Sequence, residues 1–463
     1  MLTLSADWIL AGIATVSAII ALTSLVASRR SQREALKQQR ELGKEQLAES
    51  RRQSTENIAI LREQLRLQLL ELRLSHGDEV TPSPEFPAPP AGSVQPGAAE
   101  FPAEPMTVLL PEESPYVVGP PILELSRFSG RVAQVADFFG YLLGGQLQSV
   151  SLLGARRSGK TSFLFHVSRP SALEPHAGAT AARLIPVYVD LQAAGPDAQG
   201  FFGCVTRRTK LALQQRAGAD ILDAASPGHD YARLLRHLDA ATRAGWQFMF
   251  LLDEFERLTR NPAFTFDFFD NLRALTQDYA PNVALVTTSM RPLSALTPGD
   301  SVDRVSPLFN VFYPTPLYLG AMTEEESRGL VAGPAQRSGH PFSPEDVSFV
   351  CGIAGGLPFG LQAAADALYR AHLRGATGEA GRTAAAQVFT EGMRPHFEHH
   401  WRYFTDAERA ALARLAKGQP QAAEHGPALA NLARYGFVEE TGEGFRVLGS
   451  AFEEWVRGAS SQT

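Results

Sequence analysis

Short apolar runs recur through the middle of the chain, and polar residues follow each of them. The runs are 148–153, 184–191, 247–252 and 283–289, with a shorter one at 317–319. Runs of this length, bounded by polar residues, indicate buried β-strands. An amphipathic helical segment at 132–145 precedes them, and further helical segments lie between them at 201–217 and 229–244. Alternating strands and helices predict an α/β fold in which helices sandwich a parallel sheet.

A much longer apolar run stands near the start of the chain, where residues 8–28 contain no charge. A helix of that length spans about 31 Å, enough for a bilayer core. No Lys or Arg precedes the run, whereas Arg29, Arg30 and Arg33 follow it. The positive-inside rule then predicts a single-pass anchor in the cell (inner) membrane, with the chain after residue 28 on the cytoplasmic side.

Two segments of different composition follow the apolar run. Residues 29–75 are charged and lack proline, which favours a long helix. Their later half carries an apolar seam at Ile58, Leu61, Leu65 and Leu72, so coiled-coil self-association and a solvated single helix both remain open. Residues 76–115 are proline-rich without apolar periodicity, which is typical of a disordered linker.

The first candidate chemistry is residues 154–161, GARRSGKT, which read G-x-x-x-x-G-K-T. A strand precedes this phosphate-binding loop and a helix start follows, so backbone amides and a helix N-terminus would point at phosphate oxygens. Lys160 would reach the β- and γ-phosphates of ATP, and the Thr161 hydroxyl would bind Mg²⁺. The loop residues that we expect at the nucleotide, ATP or ADP, are Gly154, Ser158, Gly159, Lys160, Thr161 and Ser162.

Two later strand ends supply partners for this loop. Asp253 and Glu254 follow the buried run 247–252. Asp253 would hold Mg²⁺, and Glu254 would orient or deprotonate the attacking water. Arg291 follows the run 283–289, where it would contact the γ-phosphate or would be an ordinary surface arginine. The candidate catalytic residues are therefore Lys160, Glu254 and Arg291.

The C-terminal segment has the element order of a winged helix. A capping box at 405–408 starts a helix, and a second helix, a β-like stretch at 436–448 and a final helix follow. The candidate recognition helix carries only Arg434, which favours a structural winged helix over a DNA reader. His396, His399 and His400 share one helix, and packing is favoured over a zinc site there.

Overall charge and cysteine content limit the classes of partner and of metal or disulfide site that we expect. The formal net charge is −6, which gives no general basic character for nucleic acid. Cys204 and Cys351 are the only cysteines and lie far apart, without metal-type spacing. They indicate reduced thiols and no disulfide framework.

These motifs together resemble those of the STAND-type P-loop ATPases, within the AAA+ class and near its origin-recognition-like and archaeal members. The phosphate loop, the Asp253-Glu254 strand end and the Thr288-Ser289-x-Arg291 segment carry the resemblance. A lead-in with Gly130 and Arg131, and the segment Gly356-Leu357-Pro358, match as well. The resemblance implies that Gly130 and Arg131 lie by the adenine, and that Pro358 packs on the base from a helical lid.

The sequence patterns and the resemblance together predict the domain organisation. From the patterns alone, the expected parts are a transmembrane anchor (1–28), a charged helix or coiled coil (29–75) and a disordered linker (76–115). The part covered by the resemblance is expected to contain a P-loop ATPase domain (116–315), a helical lid (316–393) and a winged-helix domain (394–463).

Three functions are compatible with these features. The first is a membrane-anchored ATP-binding signalling switch, in which slow hydrolysis controls conformation and nucleotide-dependent homo-oligomerisation and an unknown protein partner receives the signal. The alternative is a membrane-tethered, origin-recognition-like ATPase that binds DNA through its winged helix. The third is a scaffold whose ATP site is structural.

Overall fold

The computed structural model describes residues 114–217, 230–296 and 308–460. Within these ranges, the strands that the apolar runs predict form one parallel sheet in the order β2-β3-β4-β1-β5. The strands are β1 (Val150–Leu153), β2 (Leu184–Asp190), β3 (Gln247–Asp253), β4 (Val283–Ser289) and β5 (Leu317–Tyr318). The predicted α/β fold with a parallel sheet is confirmed.

Helices cover both faces of this sheet because its strands are apolar on both sides. In β3, Phe248, Phe250 and Leu252 enter one hydrophobic cluster, whereas Met249 and Leu251 enter another. The helices of this part are α1 (Val132–Leu142), α2 (Lys160–Val167), α3 (Pro170–Ala177), α4 (Ala198–Ala217), α5 (Asp230–Arg243), α6 (Glu256–Arg260) and α7 (Phe266–Asp278). Helices α1 to α3 contribute to the second cluster, and α4 to α7 contribute to the first.

The parallel register brings the polar strand ends to one edge. Leu153 at the end of β1 is paired with Ser289 at the end of β4, and Asp190 of β2 is paired with Asp253 of β3. Ligands of open α/β sheets bind at the carboxyl ends of the strands. The phosphate loop follows β1, so it emerges at this edge.

The C-terminal half is helical and contains a small hairpin before its last helix. Its elements are α8 (Glu324–Arg337), α9 (Pro344–Ala354), α10 (Pro358–Leu373), α11 (Gly378–Tyr403), α12 (Asp406–Ala416), α13 (Gly426–Tyr435), antiparallel β6 (Val438–Thr441) and β7 (Gly444–Val447), and α14 (Ser450–Ala459). One hydrophobic cluster joins them, from Val331 through Phe397 to Phe452. The predicted boundary at 393 falls inside the continuous helix α11, and it stays a prediction.

Side-chain capping fixes several of these helix starts. The side chains of Thr323, Ser343 and Thr405 each accept a hydrogen bond from the backbone amide three residues on. The carboxylate of that residue accepts one from the amide of the capping residue. Each capping box satisfies two backbone amides that the helix itself leaves unpaired.

The predicted anchor at 8–28, the helix at 29–75 and the linker as far as residue 113 lie outside the described residues. In the described ranges, no helix is long and apolar enough to cross a membrane. Even the long helices α4 and α11 carry polar and charged residues through their length. This finding contradicts the predicted single-pass location in the cell (inner) membrane, and that prediction is withdrawn.

Candidate functional site

A cavity of about 1000 Å³ opens at the carboxyl edge of the sheet. Its walls come from the lead-in segment 117–131, the phosphate loop, the end of β3, and helices α10 and α11. Val117, Ile122 and Leu330 give the wall an apolar part, whereas Lys160 and Asp253 give it a charged part. A volume of this order, with apolar walls and a few converging polar groups, suits a nucleotide-sized ligand.

Two glycines and the hydrogen bonds of Lys160 define the shape of the phosphate loop. A Cβ on Gly154 would lie 2.3 Å from the Ser158 Oγ, so no larger residue fits there without a shift. Gly159 has a φ of 93° and directly precedes α2. Lys160 spans the loop, and its Nζ donates hydrogen bonds to the carbonyl oxygens of Gly154 (2.9 Å) and Ala155 (3.0 Å).

The Asp253 carboxylate is held in place by three hydroxyl groups. The hydroxyl groups of Thr161, Thr288 and Tyr188 donate to its carboxylate at 2.7, 2.5 and 3.1 Å. Burial and the Asp253 charge raise the pKa of Tyr188, which keeps its hydroxyl a donor. The hydroxyl and carboxylate that we predicted as Mg²⁺ ligands, Thr161 and Asp253, are thus in direct contact, and their hard oxygens suit that ion.

Glu254 adopts a backbone conformation that is rare for a side-chain-bearing residue. Its φ is 61°, and its amide donates to Thr288 Oγ1 at 3.0 Å. The Gln192 amide donates to Glu254 Oε2 at 2.6 Å, and Arg257 Nε lies 3.4 Å from the same oxygen. Non-glycine residues in this region cost of order 1 kcal/mol or more, and they concentrate at functional sites.

Glu256 is a third carboxylate of the cavity wall, and the sequence patterns did not single it out. It lies in the first turn of α6 and is 9% exposed, and its Oε2 has no hydrogen-bond partner among the described residues. Burial raises the pKa of Glu256, while its own amide and Lys160 oppose that shift. Burial lowers the pKa of Lys160, and Glu256 is the strongest of the carboxylates that oppose it.

Arg291 does not line the cavity. Its guanidinium donates to both carboxylate oxygens of Glu408, at 2.9 and 2.7 Å, and to the carbonyl oxygen of Tyr403 at 2.7 Å. The Glu408 hydrogen bond raises the pKa of Arg291 although burial lowers it. A γ-phosphate contact by Arg291 therefore requires this ion pair to open, and it stays a prediction.

Arg131 joins the phosphate loop to the segment that follows β5. It is 3% exposed, and its guanidinium donates to the carbonyl oxygens of Gly320 (2.6 Å), Ser158 (3.2 Å) and Ala321 (3.4 Å). Burial lowers its pKa to about 10, although Glu326 opposes the shift. Its side chain faces backbone carbonyl groups, a structural role that the resemblance did not imply.

Most of the predicted site residues meet in this cavity. Those that line it are Arg131, Ser158, Gly159, Lys160, Thr161, Ser162, Asp253, Glu254 and Pro358. Gly130, Gly154 and Arg291 are absent from its wall. Gly130 packs instead against the start of α8: an added Cβ would lie 2.5 Å from the methyl carbon of Met322, just before that helix, and 3.0 Å from the Cβ of Glu326 within it.

Tyr188 and Gln192 are contributors that sequence reasoning missed. Tyr188 lies near the end of β2, the neighbour of β3 in the sheet, and Gln192 follows two residues after that strand. The rule that polar residues after parallel strands converge would have pointed to Gln192, which follows Asp190 closely. Tyr188 gives no such signal because it lies inside an apolar run.

Helix α11 brings histidines towards the cavity. His399 lines it, with Nδ1 3.5 Å from the Arg156 guanidinium. His400 is buried and packs on Phe437, and burial together with the neighbouring histidines lowers its pKa to about 3, so its ring is neutral. His396 packs edge-on against Phe359. Each of the three histidines thus contacts a different neighbour, as side chains in packing positions do.

Comparison with known proteins supports an ATPase fold. The family model described as Novel STAND NTPase 2 matches residues 231–421, less than half of the chain. No curated protein matches the chain. A Walker-type ATPase of Pyrococcus abyssi is similar in structure, with a TM-score of 0.51 and 13% identity, over 73% of this chain and 98% of that one.

Weaker structural similarities exist to two further proteins. The ORC1 protein of Aeropyrum pernix in complex with DNA gives a TM-score of 0.41 at 14% identity, over 73% of this chain and 95% of that one. The RuvB Holliday junction branch migration motor of Thermotoga maritima gives 0.36 at 14%, over 72% and 97%. The Pyrococcus similarity shows the fold: this chain has the fold of a P-loop ATPase.

Proposed function

We propose that the chain binds ATP or ADP with Mg²⁺ in the cavity at the sheet edge, and that it hydrolyses ATP slowly. The observation that carries this proposal is the contact of Thr161 with Asp253, 2.7 Å apart, beside the loop that holds Lys160. A P-loop hydroxyl and a strand-end carboxylate are the pair that holds Mg²⁺ in such ATPases. Lys160 would bind the β- and γ-phosphates, and Glu254 would orient the attacking water.

We further propose that the nucleotide acts as a switch on the C-terminal helices. In this proposal, residues 316–393 form a helical lid and 394–463 a winged helix. Two described contacts support coupling: Arg156 approaches His399 of α11, and Arg291 after β4 is ion-paired with Glu408 of α12. Entry of a γ-phosphate would disturb both contacts and so change how the helices dock. The consequence would be nucleotide-dependent self-association.

We do not extend the proposal to DNA reading by the winged helix, because the arginines of α13 and of the hairpin, Arg434 and Arg446, contact neighbouring side chains. The Arg434 guanidinium lies 5.7 Å from the Tyr318 ring centroid, and Arg446 is ion-paired with Glu439 of the hairpin. The neighbouring Glu439 and Glu440 would repel phosphates. The winged helix is therefore proposed as a structural module that contacts the ATPase part.

Changing Lys160 to alanine tests nucleotide binding. We expect the affinity for a fluorescent ATP analogue, measured by anisotropy with Mg²⁺, to fall by about 100-fold because a charge-assisted contact to two phosphates is lost. Lys417→Ala is the control, since Lys417 is exposed and bonds only the Ser460 carbonyl oxygen in the described structure. Equal affinities of wild type and Lys160→Ala would refute the proposed site.

A further inference from the structure

Three carboxylates line the cavity within the described ranges, and one of them differs from the other two. Asp253 and Glu254 accept hydrogen bonds from neighbouring side chains. Glu256 is about nine-tenths buried, yet its Oε2 has no partner among the described residues. A buried carboxylate oxygen without a donor is costly, so such a group in a native fold calls for a reason.

The reason lies in its neighbour, Lys160. Both residues line the same cavity. Burial lowers the pKa of Lys160, and Glu256 opposes that shift more than Asp253 and Glu254 do. The lysine gives its hydrogen bonds to the loop carbonyl groups and none to Glu256. The cavity wall thus carries an ammonium group and a buried carboxylate oxygen without a hydrogen bond between them.

A phosphate that binds the loop is negatively charged, as the Glu256 carboxylate is. Phosphate oxygens at Lys160 would compete with Glu256 for the attraction of the ammonium group, and the cavity that would hold them also has the Glu256 carboxylate in its wall. Water screens the repulsion little because the carboxylate is buried. The remaining charges around Glu256 are Arg260, on its own helix, and Glu254, just before it.

We propose that Glu256 is a counterion of Lys160 that opposes the nucleotide phosphates, and that it weakens nucleotide binding and speeds release. The inference rests on the proposed function, since it concerns the same cavity. Its meaning for that function is direct: a switch that must exchange ADP for ATP needs a site that does not hold ADP too tightly.

The test is Glu256→Gln, which keeps the shape of the side chain and removes its charge. Wild type and variant of the full chain are titrated with fluorescent ADP at pH 8, once with Mg²⁺ and once with EDTA. We expect about tenfold tighter binding in both conditions, which corresponds to about 1.4 kcal/mol. We also expect a matching decrease in the dissociation rate, measured by displacement with unlabelled ADP. Glu256→Ala should act in the same direction, and it serves if the glutamine variant folds poorly.

Each outcome decides between explanations. Glu424→Gln is the matched control, because Glu424 is exposed and does not line the cavity, and its affinity should equal that of wild type. Unchanged or weaker binding by both Glu256 variants would overturn the inference. Weaker binding confined to the Mg²⁺ condition would assign Glu256 to the metal and would overturn it too. Absence of binding by wild type would instead contradict the proposed function.

Discussion

At the scale of single residues, the Arg291–Glu408 ion pair is a buried link between the sheet edge and the C-terminal helices. The Glu408 side chain is 4% exposed, and it also accepts hydrogen bonds from Asn431 and from the Thr405 amide. Burial raises the pKa of Glu408, but the hydrogen bonds of Arg291 and of the Thr405 amide, with the Arg291 charge, outweigh burial and lower it overall.

Arg291→Ala should therefore destabilise the fold. We expect a loss of about 3 kcal/mol in the free energy of unfolding, measured with urea at pH 7, because a buried carboxylate loses its cation. Arg328→Ala is the control, since its ion pair with Glu324 is largely exposed, and it should cost less than about 0.5 kcal/mol. Equal losses in the two variants would mean that the Arg291 pair has no special weight.

The same pair predicts a pH dependence. The folded pKa of Glu408 is lowered, so its contribution is full above the unfolded value near 4.5 and disappears as pH falls through the folded value. The stability difference between wild type and Arg291→Ala should thus be constant from pH 6 to 8 and shrink below about pH 4.5. A difference that grows on acidification would contradict this assignment.

The residue scale also shows what the sequence can and cannot predict. Lys160, Thr161, Asp253 and Glu254 were predictable because each lies in a local pattern tied to a strand end. Tyr188 was not, because its pairing with Asp253 depends on the register of two strands distant in sequence. Arg291 likewise finds Glu408, a partner 117 positions away. Contacts of that kind follow from tertiary packing, which no local spacing encodes.

At the scale of elements, a close approach of two backbones joins the end of β5 to the end of α13. Gly436 caps α13 with a φ of 80°, and a Cβ placed on it would lie 2.3 Å from the Ala321 amide nitrogen. A Cβ on Gly320 would lie 2.3 Å from the Arg434 carbonyl oxygen. Only glycine permits both contacts, so this pair sets how α13 docks on the sheet.

Gly436→Ala should disturb that docking. We expect a loss of at least about 2 kcal/mol in stability, since the new methyl group meets backbone atoms and the φ is unfavourable for alanine. Gly442→Ala in the β6–β7 turn is the control, because nothing lies within 4 Å of its added Cβ, and it should change stability by less than about 0.5 kcal/mol. Thermal unfolding of the two variants compares them directly. A wild-type-like Gly436→Ala would show that the approach can relax without cost.

The elements themselves followed the sequence patterns closely. The runs 148–153, 247–252 and 283–289 became β1, β3 and β4, because a buried parallel strand must be apolar on both faces. The capping box predicted at 405–408 likewise marks a real helix start. What the patterns could not give was sheet order, in which β1 lies between β4 and β5 although both follow it in the chain.

At the scale of the whole molecule, the proposed switch predicts an assembly that depends on the nucleotide. The full chain should sediment faster with a non-hydrolysable ATP analogue than with ADP, because the γ-phosphate is expected to release the Arg291–Glu408 contact and re-dock the C-terminal helices. Lys160→Ala should sediment alike with both nucleotides. Identical sedimentation of wild type with ATP analogue and ADP would argue against the switch while leaving nucleotide binding intact.

Helix α11 contains a position at which it can bend. Pro395 lies inside this helix and has no amide hydrogen, so the carbonyl group of Glu391 receives no helical bond from it. A helix bends most easily at such a position. The nine residues from Pro395 to Tyr403 include His399 and Tyr403 of the cavity wall, and they also pack in the C-terminal core through Phe397. A bend of α11 at Pro395 would therefore move the cavity wall and this part of the core together.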